Sequence, residues 1–204
     1  MLARDRQRPL EPRAEQTNSE KRGASVNSQG EKQERTLIEG AAAVGEQLAG
    51  KYMTFKLANE EYGLEILKVR EIIGLMDITR VPCTQEFMSG VINLRGKVIP
   101  VIDLRLKFGM ERCQVTEQTV IIVVQYSLHG RNMTMGLLVD QVLEVLSIEA
   151  AAIEPPPEFG SSTLRSDFIL GIGKAEKRVI FLLDIGRILN AEEAGAVAEA
   201  TVAS

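Results

Sequence analysis

"FMSGVINLRGKVIPVIDLRLKF", which spans Phe87–Phe108, recurs later in the chain as "FILGIGKAEKRVIFLLDIGRIL", which spans Phe168–Leu189. The two stretches align without a gap, and Asp103 of the first falls on Asp184 of the second. An internal repeat is sought first, because missing it gives the wrong fold. The chain therefore contains two copies of at least this part of its structure.

A second pair of similar segments lies before these two, one ahead of each. "YGLEILKVREII" at Tyr62–Ile73 aligns with "MGLLVDQVLEVL" at Met135–Leu146. Two matches in the same order are hard to attribute to chance, so we infer two copies of one small β unit. Units of about sixty to seventy residues are marginally stable alone. We therefore expect them to pack together or exchange strands, which leaves a groove between them.

The patterns around the repeats are typical of short strands and a few short helices. Apolar Met53, Phe55 and Leu57 alternate with other residues, which predicts a half-buried strand. Further strands are predicted near Tyr62, over 119–128 and over 177–185, with a hairpin turn at 129–132. Helices are predicted over 84–90, over 104–109 and from residue 184 onwards, with a weaker one over 36–50. Strands at this spacing favour small barrels or a sandwich.

Composition divides the chain into three parts. Residues 1–50 contain no aromatic residue and are rich in charged and polar residues, which predicts a disordered N-terminal extension. Residues 51–190 are predicted to form the folded body, followed by a C-terminal helix or tail at 191–204. Only a short segment follows Leu189, so we expect a protein without a further domain.

Charge and residue counts exclude several functional classes. The net charge is -4, whereas nucleic-acid-binding proteins usually carry a basic face. Two cysteines and one histidine are too few for a structural zinc site. No apolar run reaches the ~18 residues of a membrane span, and the N-terminus lacks an apolar signal region. We expect a soluble protein of a reducing compartment.

Residues that could perform catalysis are scarce. His129 stands in a predicted turn without a nucleophile beside it. "GVINLRGK" at 90–97 has the wrong spacing for a phosphate-binding loop, and "GIGKAE" at 171–176 lacks a third glycine. Asp103 and Asp184 each end an apolar strand and begin a helical turn, which predicts helix N-caps. The chain is therefore expected to be no enzyme and to need no metal or cofactor.

Arg95 is the residue at which the two copies differ most in charge. It occupies a predicted tight turn, and its counterpart in the second copy is Glu176. A solvated turn residue is one interpretation. The other is an interface anchor, because arginine makes several directed hydrogen bonds and is enriched in binding hot spots.

Apolar residues on matching strands, and one in a loop, also leave two interpretations open. Val69, Ile72, Val142 and Val145 belong either to the core or to a binding surface, while Glu71 and Glu144 should face the opposite side. Phe159 follows three prolines in "IEPPPEFG" at 153–160. It either folds back onto a barrel or docks into a partner.

Five segments together resemble the CheW family of chemotaxis coupling proteins. They are "EEYGLEILKVREI", "GVINLRGKVIPVIDLRLKFG", "GLLVDQVLEVLSI", "PPPEF" and "LLDIGRIL". The resemblance runs from about Lys51 to Asn190. It implies a mostly β fold of two intertwined five-stranded SH3-like β-barrels with short helices, in agreement with the duplication.

The resemblance also implies a function and partners. Proteins similar to this chain are non-catalytic adaptors that couple the cytoplasmic tips of methyl-accepting chemoreceptors to the regulatory domain of the histidine kinase CheA. We therefore expect a cytoplasmic protein, associated with membrane-bound chemoreceptor arrays, in a two-component pathway. The pathway could control flagellar chemotaxis or another output such as surface motility. A nucleic-acid-binding barrel is a further alternative, which the acidic charge excess disfavours.

Site residues are carried over from the family by their positions in the motifs. Two residues, Ile153 and Phe159, match the loop that meets the kinase. Glu154 stands where close relatives can carry a basic residue. The receptor-side positions are Arg95, Val69, Glu71, Ile72, Val142 and Val145.

Overall fold

The computed structural model describes residues 40, 42–128, 131–156, 167–189 and 193, which all lie in one compact unit. Within these residues the chain is mostly β, with helix α1 over residues 42–48. Two further short helices are α2 at Leu104–Lys107 and α3 at Ile185–Ile188. Most residues of the N-terminal tail that is predicted to be disordered lie outside the described residues. The weak helix predicted over 36–50 is found over 42–48.

One sheet, the first barrel, is built from the middle of the chain. Its strand order is β3-β6-β7-β5-β4. The strands are β3 (Val69–Gly74), β4 (Met88–Leu94), β5 (Lys97–Asp103), β6 (Val120–Leu128) and β7 (Arg131–Val139). A bridge between Thr79, beyond the end of β3, and Val91 of β4 closes the ring.

The other sheet, the second barrel, combines the two ends of the folded body. Its order is β8-β1-β2-β11-β10-β9. The strands are β1 (Gly50–Leu57), β2 (Glu60–Glu65), β8 (Gln141–Ile148), β9 (Ile153–Glu154), β10 (Ile169–Ala175) and β11 (Arg178–Leu183). The short strand β9 continues β8 and pairs with β10, as Thr79 pairs with β4 in the first barrel.

The two copies exchange strands, as the resemblance implies. In the second barrel, Gly63 of the first copy pairs in parallel with Leu182 of the second. In the first barrel, Gly136 of the second copy pairs in parallel with Val101 of the first. These two pairings are equivalent, because the duplication aligns Gly63 with Gly136 and Val101 with Leu182. The predicted intertwined barrels are therefore confirmed, although the second sheet has six strands instead of five because it includes the short strand β9.

The largest hydrophobic core lies between the barrels. Eighteen buried residues from both sheets form this central core. The separate core inside each barrel has only five buried residues. Strand β1 faces both cores, because Met53 and Phe55 belong to the central core and Tyr52 to the second barrel. The prediction of a half-buried strand is therefore wrong at β1. Both its faces are buried by different parts of the protein.

The predicted N-caps are confirmed in both copies. The side chain of Asp103 accepts a hydrogen bond from the backbone N–H of Leu106 at 3.2 Å, and that of Asp184 from Gly186 at 2.9 Å. Each cap residue also makes a backbone hydrogen bond. The N–H of Asp103 donates to the backbone oxygen of Phe87, and the N–H of Asp184 donates to that of Phe168, both at 2.8 Å.

The helix predicted over 84–90 is wrong. Residues from Met88 onwards belong to β4 instead. The side chain of Met88 is buried in the central core, and Phe87 packs against that core. The apolar residues of this segment therefore serve the core from a strand.

Gly90 allows the bridge between Thr79 and Val91 that closes the first barrel. Its φ is +142°, a conformation that residues with a side chain rarely adopt. A Cβ atom at this position would clash with the carbonyl oxygen of Thr79. The same carbonyl accepts a hydrogen bond from Val91 at 2.8 Å, so only glycine permits the closing bridge.

All three tyrosines of the chain are buried. Burial raises the pKa of Tyr52, Tyr62 and Tyr126 above the ordinary value, and Glu65 and Glu60 raise it further for the first two. The Tyr62 hydroxyl donates to Glu60 at 2.6 Å. The folded chain therefore holds these phenolic protons more tightly than the unfolded chain.

Stability is expected to fall as the pH rises above about 10, where tyrosines of the unfolded chain begin to release protons that the folded chain still holds. Below this pH the three hydroxyls are protonated in both states and contribute no pH dependence. Phenolate absorbance and circular dichroism, recorded in one alkaline titration, should change together. Full phenolate absorbance from a chain that is still folded would contradict this expectation.

Candidate functional site

Arg95 occupies the first position of a two-residue hairpin turn between β4 and β5. Its φ is +52° and that of Gly96 is +81°, a pair of values typical of turns that match the strand twist. The Asn93 side chain accepts a hydrogen bond from the Gly96 N–H at 2.9 Å and supports the turn. A left-handed arginine is unusual, and such residues are concentrated at functional sites.

The guanidinium group of Arg95 is presented to solvent and held by one carboxylate. Its Nη2 atom lies 2.8 Å from Oε2 of Glu71, and the side chain of Arg95 is 79% exposed. Glu71 itself is half-buried, on the opposite face of β3 from Ile72. The predicted orientation is thus correct, but Glu71 contacts Arg95 and is not simply solvated. The pair leaves several donors of the guanidinium free for a partner.

Strand β3 carries two of the apolar candidates at the edge of the first barrel. Val69 pairs with Val124 and Ile72 pairs with Ile122, and both partners belong to the central core. Val69 is half-buried against that core, whereas Ile72 is 46% exposed. The strand therefore extends the central core outwards to the protein surface.

Strand β8 repeats this arrangement at the edge of the second barrel. Val142 pairs with Phe55 and Val145 pairs with Met53, both of which lie in the central core. Val142 is half-buried and Val145 is 53% exposed. We call the four residues Val69, Ile72, Val142 and Val145 the edge-strand set. Both interpretations left open by the sequence apply in part. Val69 and Val142 pack against the core, whereas Ile72 and Val145 lie on the surface.

A buried threonine fixes the position of β8. The strand has a register shift opposite Thr54, whose side chain is fully buried. Its hydroxyl donates to the backbone oxygen of Glu144 at 2.8 Å and accepts from the N–H of the same residue at 3.3 Å. These bonds satisfy the polar groups that the shift leaves unpaired.

The second copy has its own arginine–glutamate pair, which the sequence patterns did not single out. Arg178 Nη2 lies 2.8 Å from Glu144, and Nη1 lies 3.5 Å from Glu61. The hydrogen bond to Glu144 raises the pKa of Arg178. Its counterpart in the first copy is Lys97, so a basic residue in both copies was the available signal. Glu176 shares the left-handed conformation of Arg95, with a φ of +56°.

The first of the candidate kinase-side residues lies on β9 of the second barrel. Ile153 is 3% exposed and packs in the interior of that barrel, so its side chain anchors β9 from inside. Glu154 is exposed and pairs with Lys174 of β10 at 2.5 Å. Phe159 and His129 lie outside the described residues.

Neither a metal-ion site nor a membrane span is found among the described residues. No group of three or more His, Cys, Asp and Glu side chains there is arranged to hold a metal ion. No helix in the same part of the chain is long and apolar enough to cross a membrane.

The fold and the site define a class of protein, a two-barrel binding module whose edge strand β3 carries the partner of a surface arginine on one face and an extension of the core on the other. The CheW-like domain matches residues 51–193. The chemotaxis protein CheW of Klebsiella aerogenes is 42% identical over 73% of this chain and 87% of its own length. The probable chemotaxis protein CheW of Rhizobium etli is 38% identical over 71% of this chain and 90% of its own length.

A crystal structure shows the same likeness in three dimensions. The scaffolding protein TtCheW of Thermoanaerobacter tengcongensis is 38% identical, with a TM-score of 0.62 over 72% of this chain and 96% of that protein. The chain belongs to the CheW-like family and is a chemotaxis coupling adaptor. The family is one of non-catalytic scaffolds.

Proposed function

We propose that this adaptor joins the cytoplasmic tips of chemoreceptors to the regulatory domain of the histidine kinase CheA. The observation that carries the proposal is the Arg95–Glu71 pair, which stands in a left-handed turn with the guanidinium exposed. A protein does not need an arginine in this conformation to close a hairpin, because glycine and asparagine suit it better. A partner contact explains why arginine is found there.

The receptor surface combines this arginine with the edge-strand set. Exposed Ile72 and Val145, one on an edge strand of each barrel, offer apolar side chains on which the apolar face of a receptor helical hairpin can pack. Arg95 supplies directed hydrogen bonds to carbonyl or carboxylate groups of the same hairpin. Glu71 holds the guanidinium in one place and so lowers the entropy lost when a partner binds.

The kinase surface that we propose includes β9 and Phe159. Ile153 anchors β9 in the barrel interior, and we assign the apolar contact with the kinase to Phe159. Glu154 and Lys174 pair next to Ile153 and give the surface a mixed charge. Through the receptor surface and the kinase surface together, the adaptor is held at membrane-bound receptor arrays on the cytoplasmic side. Flagellar and non-flagellar outputs are both compatible with such a coupling role.

Val145→Asp tests the receptor surface, because a matched control exists in the same barrel. Val145 and Val179 are 53% and 52% exposed, but only Val145 belongs to the edge-strand set. A carboxylate at 145 removes apolar contact and must lose hydration on binding. We expect the variant to bind a receptor-tip fragment about ten- to a hundredfold more weakly, which corresponds to about 1.4–2.8 kcal/mol.

Val179→Asp should bind the same fragment like the wild type when both are measured by calorimetric titration. Equal affinity of all three proteins would place the receptor surface elsewhere. No binding by the wild type itself would refute the proposed partner.

A further inference from the structure

The carboxylate of Asp140 connects the two barrels where the chain passes between them. Asp140 follows β7 of the first barrel and precedes β8 of the second. Its Oδ2 atom accepts a hydrogen bond from Nη1 of Arg105, in the first barrel, at 2.6 Å. The same oxygen accepts from the N–H of Ala58, in the β1–β2 turn of the second barrel, at 2.7 Å. A single oxygen thus joins both barrels.

The environment of Arg105 makes this link firm. Its Nε donates to the backbone oxygen of Glu111 at 2.9 Å, so the guanidinium is held from two sides. Its side chain is 16% exposed and that of Asp140 is 28% exposed. A partly buried, charge-assisted hydrogen bond of this kind is stronger than an exposed ion pair.

The equivalent crossover in the other half of the duplication is built differently. The alignment of the two copies places Leu67 opposite Asp140 and Gly186 opposite Arg105. Neither can form an ion pair, and Leu67 is 83% exposed. A cleft of about 490 Å³, lined in part by Leu67, lies at this crossover. One crossover of the duplicated fold is therefore linked by the Arg105–Asp140 ion pair, whereas the equivalent crossover borders a cleft.

We propose that Arg105 and Asp140 are positioning residues for the receptor surface, an inference that rests on the proposed function. The surface takes Ile72 from the first barrel and Val145 from the second, so its shape depends on how the barrels are placed. Strand β8, which carries Val145, begins directly after Asp140. Of the kinase-side residues, Ile153 packs inside the second barrel alone, so we do not expect its position to depend on this placement.

Arg105→Ala separates positioning from general stability, because the two partners should respond differently. We expect the affinity for a receptor-tip fragment to fall about tenfold, as when preorganisation is lost, while the affinity for the CheA regulatory domain stays within about twofold. Arg105→Lys should restore much of the receptor affinity, since an ammonium group can still donate to Asp140. Arg187→Ala is the matched control, because Arg187 pairs within its own helical region, with Asp184 at 3.2 Å.

Three results would count against the inference, and one of them also concerns the proposed function. Unchanged receptor affinity in Arg105→Ala would overturn it, and so would equal weakening of both partners, which indicates a purely structural role. Should Arg105→Ala fail to fold, Asp140→Asn keeps an acceptor for Ala58 and allows the same comparison. Absence of receptor binding by the wild type would refute the proposed function itself.

Discussion

Arg95→Glu is expected to abolish measurable binding to receptor tips while the chain stays folded. The change removes the exposed donors and places a second carboxylate beside Glu71, where the Arg95 guanidinium lies at 2.8 Å. Losing one partner of a hydrogen-bonded charge pair that is buried in the complex costs about 2–5 kcal/mol. Because the Arg95 side chain is 79% exposed, the free protein loses only a surface ion pair, which contributes about 0–1 kcal/mol.

Binding and thermal unfolding should therefore be measured on the same samples. Arg95→Lys is the conservative control, which keeps the charge but loses the planar fork and should bind with intermediate affinity. Glu176→Lys changes charge at the equivalent turn of the other copy and should leave receptor binding intact. Wild-type affinity in Arg95→Glu would show that the residue serves only the turn.

Phe55→Ala is expected to have the largest effect on stability. Phe55 is fully buried in the central core and stacks on Tyr62, with ring centroids 5.7 Å apart. Truncating a buried phenylalanine costs about 3–5 kcal/mol, since the surroundings collapse only in part. Because this core belongs to both barrels, we expect both to lose stability together in one cooperative transition.

Chemical denaturation followed by circular dichroism and by tyrosine fluorescence tests this expectation. Tyr126 reports on the first barrel and Tyr52 on the second, so separate tyrosine-to-phenylalanine variants assign the signal. Phe108→Ala is a suitable control, because Phe108 is only half-buried at the margin of the same core. Two separate transitions would contradict the view that the central core unites the barrels.

Much of the fold could be predicted from local patterns that the duplication made visible. The two pairs of repeated segments identified the two copies, and the aspartates at their strand ends identified both N-caps. The family resemblance then supplied the intertwined barrels. The helix predicted over 84–90 failed because its apolar residues serve the central core from a strand, and a short apolar segment does not distinguish these cases.

In the candidate site, too, single residues could be identified from the sequence, whereas contacts between distant residues could not. Arg95 could be singled out by its charge difference from Glu176, but its bond to Glu71 joins residues 24 positions apart. The burial of Ile153 and the Asp140 link likewise depend on segments brought together from distant parts of the chain.

By itself the sequence determined the duplication, several of the strands, the caps and the residue types available at the turns. These features depend on neighbouring residues and on period, which the chain carries along its length. Only the tertiary structure decided which strand enters which barrel, that both faces of β1 are buried and that Glu71 holds Arg95. Each of these depends on contacts between distant residues, and their energies exist only once the two copies have packed against each other.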